Sequence, residues 1–455
     1  MPDMASKHTF QTPRGTRDFY PEDMAIRRYI ESVWREVSIN HGFEEIEGPM
    51  FEHLDLYKQK SGEGIVNELF SFTRAGGKTQ YALRPEFTPT LARMYAARAK
   101  QLSKPTKWFV IPNHFRAERP QRGRLREFMQ WNADYVGIPE VGTFVADADI
   151  EIISVTIGIM KKFGFTPKQI RIKLGHRKSV EDRLLRLGVP DVHIESSLLL
   201  LDARQKLETS KYVNEAKLLE WSKDAIDWFH PENRTIIRLD DDLDSLDLPK
   251  SEIDSMKHKR QERGDLQGEL IRAGFGEWCE FDSMIIRGLA YYTGTVFEVH
   301  EASGKERAIA GGGRYDHLIE LCGGPPTPAV GIAMGDVVLR LVLDDHDLLG
   351  PDRVSVPHPD VFVISLGDED SDIKLKKIVS DLRSENHHIR HTYKATRKLK
   401  KLLGEAEGLG SRLVIILDEK LAEGEVTIKD MKQGSQEQVR LNDLRREISE
   451  RLNRA

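Results

Sequence analysis

The sequence predicts an α+β protein in which an antiparallel sheet flanked by helices is interrupted by a helical insertion and followed by a small α/β domain. Strand-like runs joined by short turns occupy 69–86 and 108–135, which is typical of antiparallel hairpins. Between 171 and 277 the chain instead carries charged helical segments. Beyond 359, strand patterns alternate with a helical pattern, and this alternation predicts a domain with parallel strands.

The same changes in pattern predict the domain boundaries. Prolines and polar residues from Arg353 to Pro359 mark a linker. The predicted ranges are 1–170 and 278–350 for the sheet domain, 171–277 for the helical insertion domain, 351–359 for the linker and 360–455 for the terminal domain.

The composition is that of a folded protein with several domains. The chain has 455 residues, of which 39% are hydrophobic and 31% charged. Its 68 Lys and Arg residues against 73 Asp and Glu residues give a net charge of −5, so nucleic-acid contact has to come from local basic patches. Two cysteines without a CxxC pair, no signal-peptide pattern and no run near the ~18 apolar residues of a membrane span predict a cytoplasmic protein with no membrane role.

The first elements are a helix and a strand. The helix has an apolar stripe and ends at Gly42, and the strand contains Ile46 and stops at Pro49, which is tolerated at a sheet edge. A long helix leading into an edge strand fits a subunit contact, and an ordinary surface helix and strand is the alternative.

An unusually charged hairpin lies at 115–134, with the sequence FRAERPQRGRLREFMQWNAD. Its returning strand alternates between a polar face with Phe128, Gln130, Asn132 and Asp134 and an apolar face with Met129, Trp131, Ala133 and Tyr135. The apolar face packs, whereas the polar face, joined by Arg116 and Glu118, is costly to bury without partners. Because arginine binds phosphate bidentately and Phe128 offers a stacking surface, the polar face predicts an anion site. A solvated, salt-bridged hairpin is the alternative.

Another acidic position follows the earlier hairpin, where a strand ends at Glu86. Thr88 is predicted as the N-cap of the next helix and Pro89 as its first residue. A carboxylate fixed at a strand end can receive an ammonium group. A hydrogen bond from the start of the helix to Glu86 is the alternative.

Three further motifs carry candidate residues. RGLAYYTGTVFE is a strand that holds Arg287, Tyr291 and Tyr292, and GGGRYD supplies Tyr315. The glycines allow a close backbone approach, or they merely pack a helix against a sheet. Near residue 400 the terminal domain carries a basic stretch with neighbouring histidines, and this predicts contact with a nucleic-acid backbone. A solvated lysine-rich helix is the alternative.

Taken together, the chain resembles the histidyl-tRNA synthetases, a family of class II aminoacyl-tRNA synthetases. The resemblance covers nearly the whole chain and is carried by the motifs PRGTRDFYPEDM, ALRPEFTPT, FRAERPQRGRLREFMQ, RGLAYYTGTVFE and GGGRYD. It implies that the sheet domain is catalytic, that the terminal domain binds the anticodon and that the protein is a homodimer. It also implies ATP-dependent ligation of L-histidine to tRNA(His) through histidyl-adenylate, with Mg²⁺ bridging the phosphates.

The resemblance also implies a role for each candidate residue. Arg116 and Arg287 are then catalytic residues at the α-phosphate. The implied ATP site consists of Arg116, Glu118, Arg124 and Phe128. The implied histidine site consists of Glu86, Thr88, Gln130, Asp134, Arg287, Tyr291, Tyr292 and Tyr315. The implied tRNA contacts are Arg119, Gln121 and Arg122 in the hairpin loop and Lys398, Lys400 and Lys401 in the terminal domain.

The sequence departs from the family pattern at three places. Valine, Val338, stands where the family has an arginine that grips the γ-phosphate; Arg340 is predicted to point off that helical face, and Arg122 is the residue expected to compensate. Ala290 stands at a usual aspartate, and Phe87-Thr88-Pro89 replaces Gly-Thr-Ala. Two alternatives to an active synthetase are a histidine-sensing regulatory subunit of ATP phosphoribosyltransferase, which shares the core fold, and a ligase that adenylates another acid.

Overall fold

The protein is described from a computed structural model, which covers residues 10–61, 68–137, 145–204, 207–233, 236–246, 250–261, 264–282, 285–286, 291–367, 369–394 and 396–453. The chain forms two compact units, Met1–Val354 and Ser355–Ala455. Among the described residues, no helix is long and apolar enough to cross a membrane.

The strands of the first unit, over its described residues, are β1 (Glu44–Glu45), β2 (Phe51–His53), β3 (Ser71–Thr73), β4 (Gln80–Leu83), β5 (Thr106–Val110), β6 (Asn113–Phe115), β7 (Glu127–Val136), β8 (Ile170–His176), β9 (Ile236–Arg238), β10 (Cys279–Asp282), β11 (Thr295–Glu301), β12 (Ala310–Arg314) and β13 (Ala329–Gly335). Its helices are α1 (Pro21–Asn40), α2 (Leu54–Ser61), α3 (Thr88–Arg98), α4 (Val145–Phe163), α5 (Arg177–Arg186), α6 (Ile194–Ala203), α7 (Thr209–Leu218), α8 (Lys223–Trp228), α9 (Lys250–Gln261), α10 (Leu266–Arg272), α11 (Leu318–Leu321) and α12 (Asp336–Asp345).

A large sheet forms the centre of the first unit. Its order is β1-β5-β7-β13-β12-β11-β8-β10-β9, and β6 pairs with β7. The run from β5 to β8 is antiparallel, as predicted, but β1 pairs in parallel with β5 and β10 pairs in parallel with β8. Both parallel pairs are joined through intervening helices, and parallel neighbours require such crossover connections. The sheet is therefore mixed at its ends rather than antiparallel throughout.

The main core lies between this sheet and α1, α4 and α12. The predicted stripe of α1 is buried there, including Ile30, Val33 and Trp34, and Gly42 ends the helix with φ of 73°. The apolar face of β7 joins the same core, as the sequence alternation predicted. This packing leaves the other face of β7 turned away from the core helices.

A small antiparallel sheet, in the order β2-β4-β3, lies beside the large one. Phe51 and Phe72 are about half exposed and make edge-to-face or tilted contacts with Tyr81. An aromatic cluster on a three-stranded sheet thus faces outward. The strand that was predicted to contain Ile46 and to stop at Pro49 ends earlier, because only Glu44–Glu45 pairs as a regular strand at the edge of the large sheet.

Helices α5 to α10 lie in the range predicted to be a helical insertion. Leu198, Tyr212, Trp221 and Phe229 are buried in a separate core, whereas Leu270 of α10 is buried in the main core. The predicted boundary at 171 falls inside β8, which pairs with both β11 and β10. Since β8 is a strand of the large sheet, a helical insertion would begin after His176. The short strand β9 also belongs to the large sheet, where it pairs with β10.

The second unit, as far as it is described, contains β14 (Val361–Ser365), α13 (Glu369–Arg383), β15 (Ile389–His391), α14 (Leu399–Gly408), β16 (Leu413–Leu417), β17 (Glu425–Asp430), β18 (Gln436–Arg440) and α15 (Leu444–Asn453). Its sheet order is β15-β14-β16-β17-β18. The strands β15, β14 and β16 are parallel, but β17 and β18 are antiparallel. The expectation that the third predicted strand is parallel is therefore wrong, because only a short connection separates β16 from β17 and a parallel pairing needs a longer one.

Candidate functional site

A cavity of about 660 Å³ opens above the polar face of β7. The returning strand places Phe128, Gln130, Asn132 and Asp134 along its floor, while their odd-numbered neighbours Met129 to Tyr135 lie in the core on the other side. The strict alternation of the sequence thus becomes the two sides of one strand. The same strand anchors the core and lines the cavity.

Glycines on the neighbouring strands make room for the buried acid of this floor. Gly331 in β13 pairs with Asp134, and a side chain at Gly331 would overlap the carboxylate Oδ1 of Asp134. A side chain at Gly312 in β12 would in turn overlap the carbonyl oxygen of Gly331 and the ring of Phe297. The glycines of the GGG motif had been expected either to allow a close backbone approach or to pack a helix against the sheet. The contacts of Gly312 fit the first interpretation.

One end of the cavity is built by a carboxylate and three tyrosines. The Tyr315 hydroxyl donates a hydrogen bond to Oδ1 of Asp134 at 2.5 Å, and both side chains are almost fully buried. Burial, with the neighbouring Asp134 charge, raises the pKa of Tyr315 well above its usual value, so the phenol stays a donor. Tyr291 and Tyr292 lie next to each other, with ring centroids 4.8 Å apart.

Glu86 lies at the same end. Its Oε2 accepts a hydrogen bond from the Tyr291 hydroxyl at 3.3 Å, and Thr88 also lines the cavity. The prediction that Thr88 is the N-cap is off by one position: Thr88 is the first residue of α3 and Phe87 precedes it, with no side-chain capping bond.

The other end of the cavity is cationic. Arg124 donates through Nη1 to Oε1 of Glu118 at 2.5 Å, while Oε2 of Glu118 is buried without a hydrogen-bond partner among the described residues. The guanidinium of Arg116 lies 5.0 Å from the Phe128 ring centroid and donates through Nε to the carbonyl of Pro85. Arg116, Glu118, Arg124 and Phe128 therefore surround one volume.

The base of the hairpin is held by residues near the start of the chain. Gly15, with φ of 91°, accepts the backbone N–H of Arg126, and a side chain at Gly15 would collide with Pro120. Arg17 donates to Oδ2 of the buried Asp336 at 2.6 Å, and Oδ1 of Asp336 accepts the backbone N–H of Met129. Asp336, at the first position of α12, thus fastens that helix to β7.

The structure brings most of the predicted residues together. Those that line the cavity are Glu86, Thr88, Arg116, Glu118, Arg124, Phe128, Gln130, Asp134, Tyr291, Tyr292 and Tyr315. Arg287 and Ala290 lie outside the described residues. Arg119, Gln121 and Arg122 are exposed in the hairpin loop, and Lys398, Lys400 and Lys401 are exposed at the start of α14 in the second unit.

The expectation that Arg122 compensates for Val338 within the cavity is wrong for this structure. Arg122 donates through Nε at 2.9 Å to the buried carboxylate of Glu306, and its side chain is 62% exposed. Arg340 pairs instead with Asp23 at 3.0 Å, in agreement with the prediction that it leaves that face. Neither arginine lines the cavity.

Sequence reasoning missed several cavity residues. Asn132 was placed on the right face but given no role, and it accepts a hydrogen bond from Gln130 at 2.9 Å. Arg307 and Glu298 line the cavity from the segment around β11 and β12. The alternation of β11 could have predicted Glu298, because its neighbours Phe297 and Val299 are core residues and Glu298 therefore lies on the other face. Arg307 lies before β12 and follows no local pattern.

Within the described part of the chain, no group of three or more His, Cys, Asp or Glu side chains is arranged to hold a metal ion. Glu298 is a carboxylate at the cationic end, where its charge acts on Arg307. Oε2 of Glu298 lies 2.8 Å from Nε2 of His300. A carboxylate here fits Mg²⁺, which takes one or two carboxylates together with phosphate and water ligands.

Comparison with known proteins gives consistent matches. A family model for histidyl-tRNA synthetase matches residues 15–336, and one for an anticodon binding domain matches residues 360–451. The chain is 34% identical over 443 residues to a chloroplastic/mitochondrial histidine–tRNA ligase of Arabidopsis thaliana, covering 97% of this chain and 87% of the relative. It is 35% identical over 426 residues to a histidine–tRNA ligase of Halobacterium salinarum, covering 93% and 94%.

A solved structure supports the fold. The crystal structure of histidyl-tRNA synthetase from Nostoc sp. PCC 7120 matches with a TM-score of 0.70 and 24% identity, covering 98% of this chain and 100% of that chain.

Proposed function

The chain belongs to the histidyl-tRNA synthetase family, and from that premise we propose how its cavity carries out the family's reaction. The enzyme is a class II aminoacyl-tRNA synthetase that ligates L-histidine to tRNA(His) at the expense of ATP. Histidine and ATP first form histidyl-adenylate and pyrophosphate, and the aminoacyl group then passes to the terminal ribose of the tRNA. The observation that carries the residue assignments is that one cavity joins an acid and tyrosine set to an arginine set.

The tyrosine end is proposed to hold histidine. A neutral imidazole has one donor and one acceptor nitrogen. Asp134, already accepting from Tyr315, can accept the imidazole N–H as well, and Tyr292 lies beside it as a hydroxyl donor. An amino acid without these ring nitrogens would leave buried groups unpaired, and such sites reject analogues by ~10⁴-fold or more.

The polar ends of the amino acid are proposed to face Glu86 and Gln130. The carboxylate of Glu86, positioned by Tyr291, receives the α-ammonium group, with Thr88 beside it. Gln130 directs its amide toward the carboxylate, and Asn132 orients that amide through a 2.9 Å hydrogen bond. The reacting carboxylate is then placed next to the cationic end.

The cationic end is proposed to hold ATP. Phe128 stacks on adenine, and the buried, unpartnered Oε2 of Glu118 accepts from the adenine amino group. Arg116 binds the α-phosphate, where charge builds up in the transition state, and Arg124 binds the outer phosphates. Because the triphosphate carries more negative charge than one carboxylate, ATP binding exchanges the Arg124–Glu118 pair for contacts with nucleotide.

Two further parts of the ATP site rest on the sequence and on donor chemistry. Arg287, outside the described residues, is proposed to brace the α-phosphate on the strength of its RGLAYYTG motif. Mg²⁺, when bound, neutralises the outer phosphates, and Glu298 is the residue proposed to contribute a protein ligand. Arg116 and Arg124 would then meet a partly neutralised triphosphate.

Binding of tRNA is proposed at two surfaces. Arg119, Gln121 and Arg122 project from the hairpin loop at the mouth of the cavity and are assigned to the acceptor end. In the second unit, Lys398, Lys400 and Lys401 have no carboxylate partner in the described part of that unit, and they are assigned to the phosphate backbone.

An exposed aromatic residue lies close in sequence to these lysines. Tyr393 is 84% exposed and contacts the ring of His391 at 4.4 Å between centroids. An exposed ring held by a neighbouring ring is suited to stacking on an unpaired base. We therefore add Tyr393 to the proposed anticodon surface.

We further propose a homodimer in the cytoplasm. On the small sheet, the half-exposed rings of Phe51 and Phe72 contact each other and Tyr81, and such a cluster is suited to burial against a second copy. Neither Cys279 nor Cys322 is in a disulfide bond, which is compatible with a reducing compartment.

The regulatory alternative is less well supported. Arg116 and Arg124 converge on the cavity, and the second unit matches an anticodon binding domain. A ligase for a different acid does not account for the buried Asp134–Tyr315 pair. Neither alternative explains both ends of the cavity.

Exchange of pyrophosphate into ATP, run with each amino acid in turn, tests the proposed function. We expect exchange with histidine alone. No exchange with histidine would favour the regulatory alternative, and equal exchange with several amino acids would favour the generic ligase.

A further inference from the structure

The cationic end of the cavity includes an arginine that no sequence motif indicates. Arg307 lies between Glu301, where β11 ends, and Ala310, where β12 begins, and its side chain lines the cavity together with Arg116, Arg124 and Val338. The backbone beside it is held in the sheet, because the N–H of Ile309 donates to the carbonyl of Val299 at 2.8 Å. Its position is therefore set by strand pairing rather than by a free loop.

Arg307 stands next to Val338 across the hairpin loop. A Cβ on Gly123 would lie 3.3 Å from Cγ2 of Val338 and 3.7 Å from Cδ of Arg307, so both side chains contact the same point of the loop. Val338 is nearly buried and has no charge. Arg307 thus brings a guanidinium to the corner occupied by Val338, in addition to Arg124, which directly follows Gly123 in the chain.

The neighbouring arginines have acidic partners, whereas Arg307 has none of its own. Arg124 pairs with Glu118, and Arg122 pairs with Glu306. Within the described residues, Arg307 makes no hydrogen bond or ion pair. Partial burial and the nearby charges of Arg124 and Arg116 lower its pKa, opposed by the charges of Glu118 and Glu298. Three guanidinium groups, with Glu118 and Glu298 as the nearby carboxylates, leave an excess of positive charge that a bound anion would neutralise.

We propose that Arg307 binds the β- and γ-phosphates of ATP together with Arg124, as a cation of the corner where Val338 stands. This assignment rests on the proposed function, because it takes the cationic end as the ATP site. Arginine suits the task since its planar fork contacts phosphate oxygens through two N–H groups. No contact with the α-phosphate or with histidine is assigned to it.

Arg122 has a supporting part in this arrangement. Its ion pair with the buried Glu306 connects the hairpin loop to the residue directly before Arg307. This ion pair fixes the hairpin loop beside the backbone of Arg307. Arg122 is then a positioning residue for Arg307 rather than a phosphate ligand.

Direct binding of ATP and AMP to the full-length protein without histidine tests the proposal. In Arg307→Gln we expect ATP to bind at least about 10-fold more weakly, as for loss of one charged hydrogen bond, and AMP to bind as in wild type. The matched control is Arg340→Gln, an arginine paired with Asp23 away from the cavity, which should bind both nucleotides as wild type does.

Each outcome decides between the claims. Equal weakening of ATP and AMP, or none, overturns the assignment of Arg307 to the outer phosphates. If Arg307→Gln fails to fold, Arg307→Lys replaces it, and a several-fold selective loss for ATP is expected because lysine lacks the fork. A wild-type protein that favours ATP over AMP through Arg307 but shows no histidine-dependent exchange overturns the proposed function alone.

Discussion

The two ends of the cavity are built in different ways. At the histidine end, Asp134 in β7 and Tyr315, which directly follows β12, are nearly fully buried and contact each other at 2.5 Å. At the phosphate end, Arg124 and Glu118 of the hairpin loop are partly exposed and joined by an ion pair, whereas Arg307 lies exposed in the connection between β11 and β12. Buried hydrogen bonds on a sheet fix geometry, whereas exposed ion pairs exchange readily. The difference suggests a preformed specificity site beside an adjustable nucleotide site.

The largest effect should come from the residue at which the two ends meet. Arg116→Gln removes the proposed donor to the α-phosphate, and we expect the maximal exchange rate to fall by ~10²–10³-fold. Arg119→Gln, in the same loop but exposed and outside the cavity, is the matched control and should leave exchange intact while weakening tRNA charging. A loss of exchange below tenfold in Arg116→Gln would contradict its assignment.

A smaller and more selective effect should mark the histidine end. Tyr315→Phe removes the hydroxyl that donates to Asp134, and the KM for histidine in exchange should rise about 10-fold or more while the KM for ATP stays the same. Tyr135→Phe, on the core-facing side of the same strand as Asp134, should change neither constant. Equal increases in both constants would show that the two ends are not separate.

The smallest effect concerns the pH dependence of stability that comes from the ion pair of Arg314, the residue before Tyr315. Arg314 pairs with the buried Asp149 at 3.0 Å, and burial, opposed by Arg314, raises the pKa of Asp149 from 3.8 to about 6. Since the folded-state pKa exceeds the unfolded one, this carboxyl contributes most stability below pH 4, and the contribution falls as the pH rises through about 6. In Asp149→Asn, the free energy of unfolding measured with urea should decrease less between pH 4 and 7 than in wild type. The same decrease in both proteins would contradict the raised pKa of Asp149.

Local pattern was enough to predict which side chains of β7 line the cavity and which lie in the core. The alternation from Phe128 to Tyr135 assigned both faces of β7 because each side chain's direction depends only on its place in the strand. The apolar stripe of α1 was likewise predicted from its helical spacing. These features need no knowledge of distant partners.

The phosphate end depends on contacts between residues far apart in the chain. An aspartate at the start of a helix, such as Asp336, is ordinarily exposed to solvent. In this structure Asp336 is buried, and its partner Arg17 lies 319 residues away in the chain. Arg122 and Glu306 pair across 184 residues, which is why Arg122 was expected in the cavity and Arg307 was not considered. The parallel pairings of β1 with β5 and β8 with β10 were missed for the same reason.

A crystal structure with histidine and a non-hydrolysable ATP analogue tests the contrast between the two ends most directly. We expect the Tyr315 hydroxyl to remain about 2.5 Å from Asp134, with the imidazole beside them. We expect Arg124 to leave Glu118 and to contact the outer phosphates, with adenine on Phe128. An intact Arg124–Glu118 pair, or a rearranged Asp134–Tyr315 pair, would contradict a preformed histidine site beside an adjustable nucleotide site.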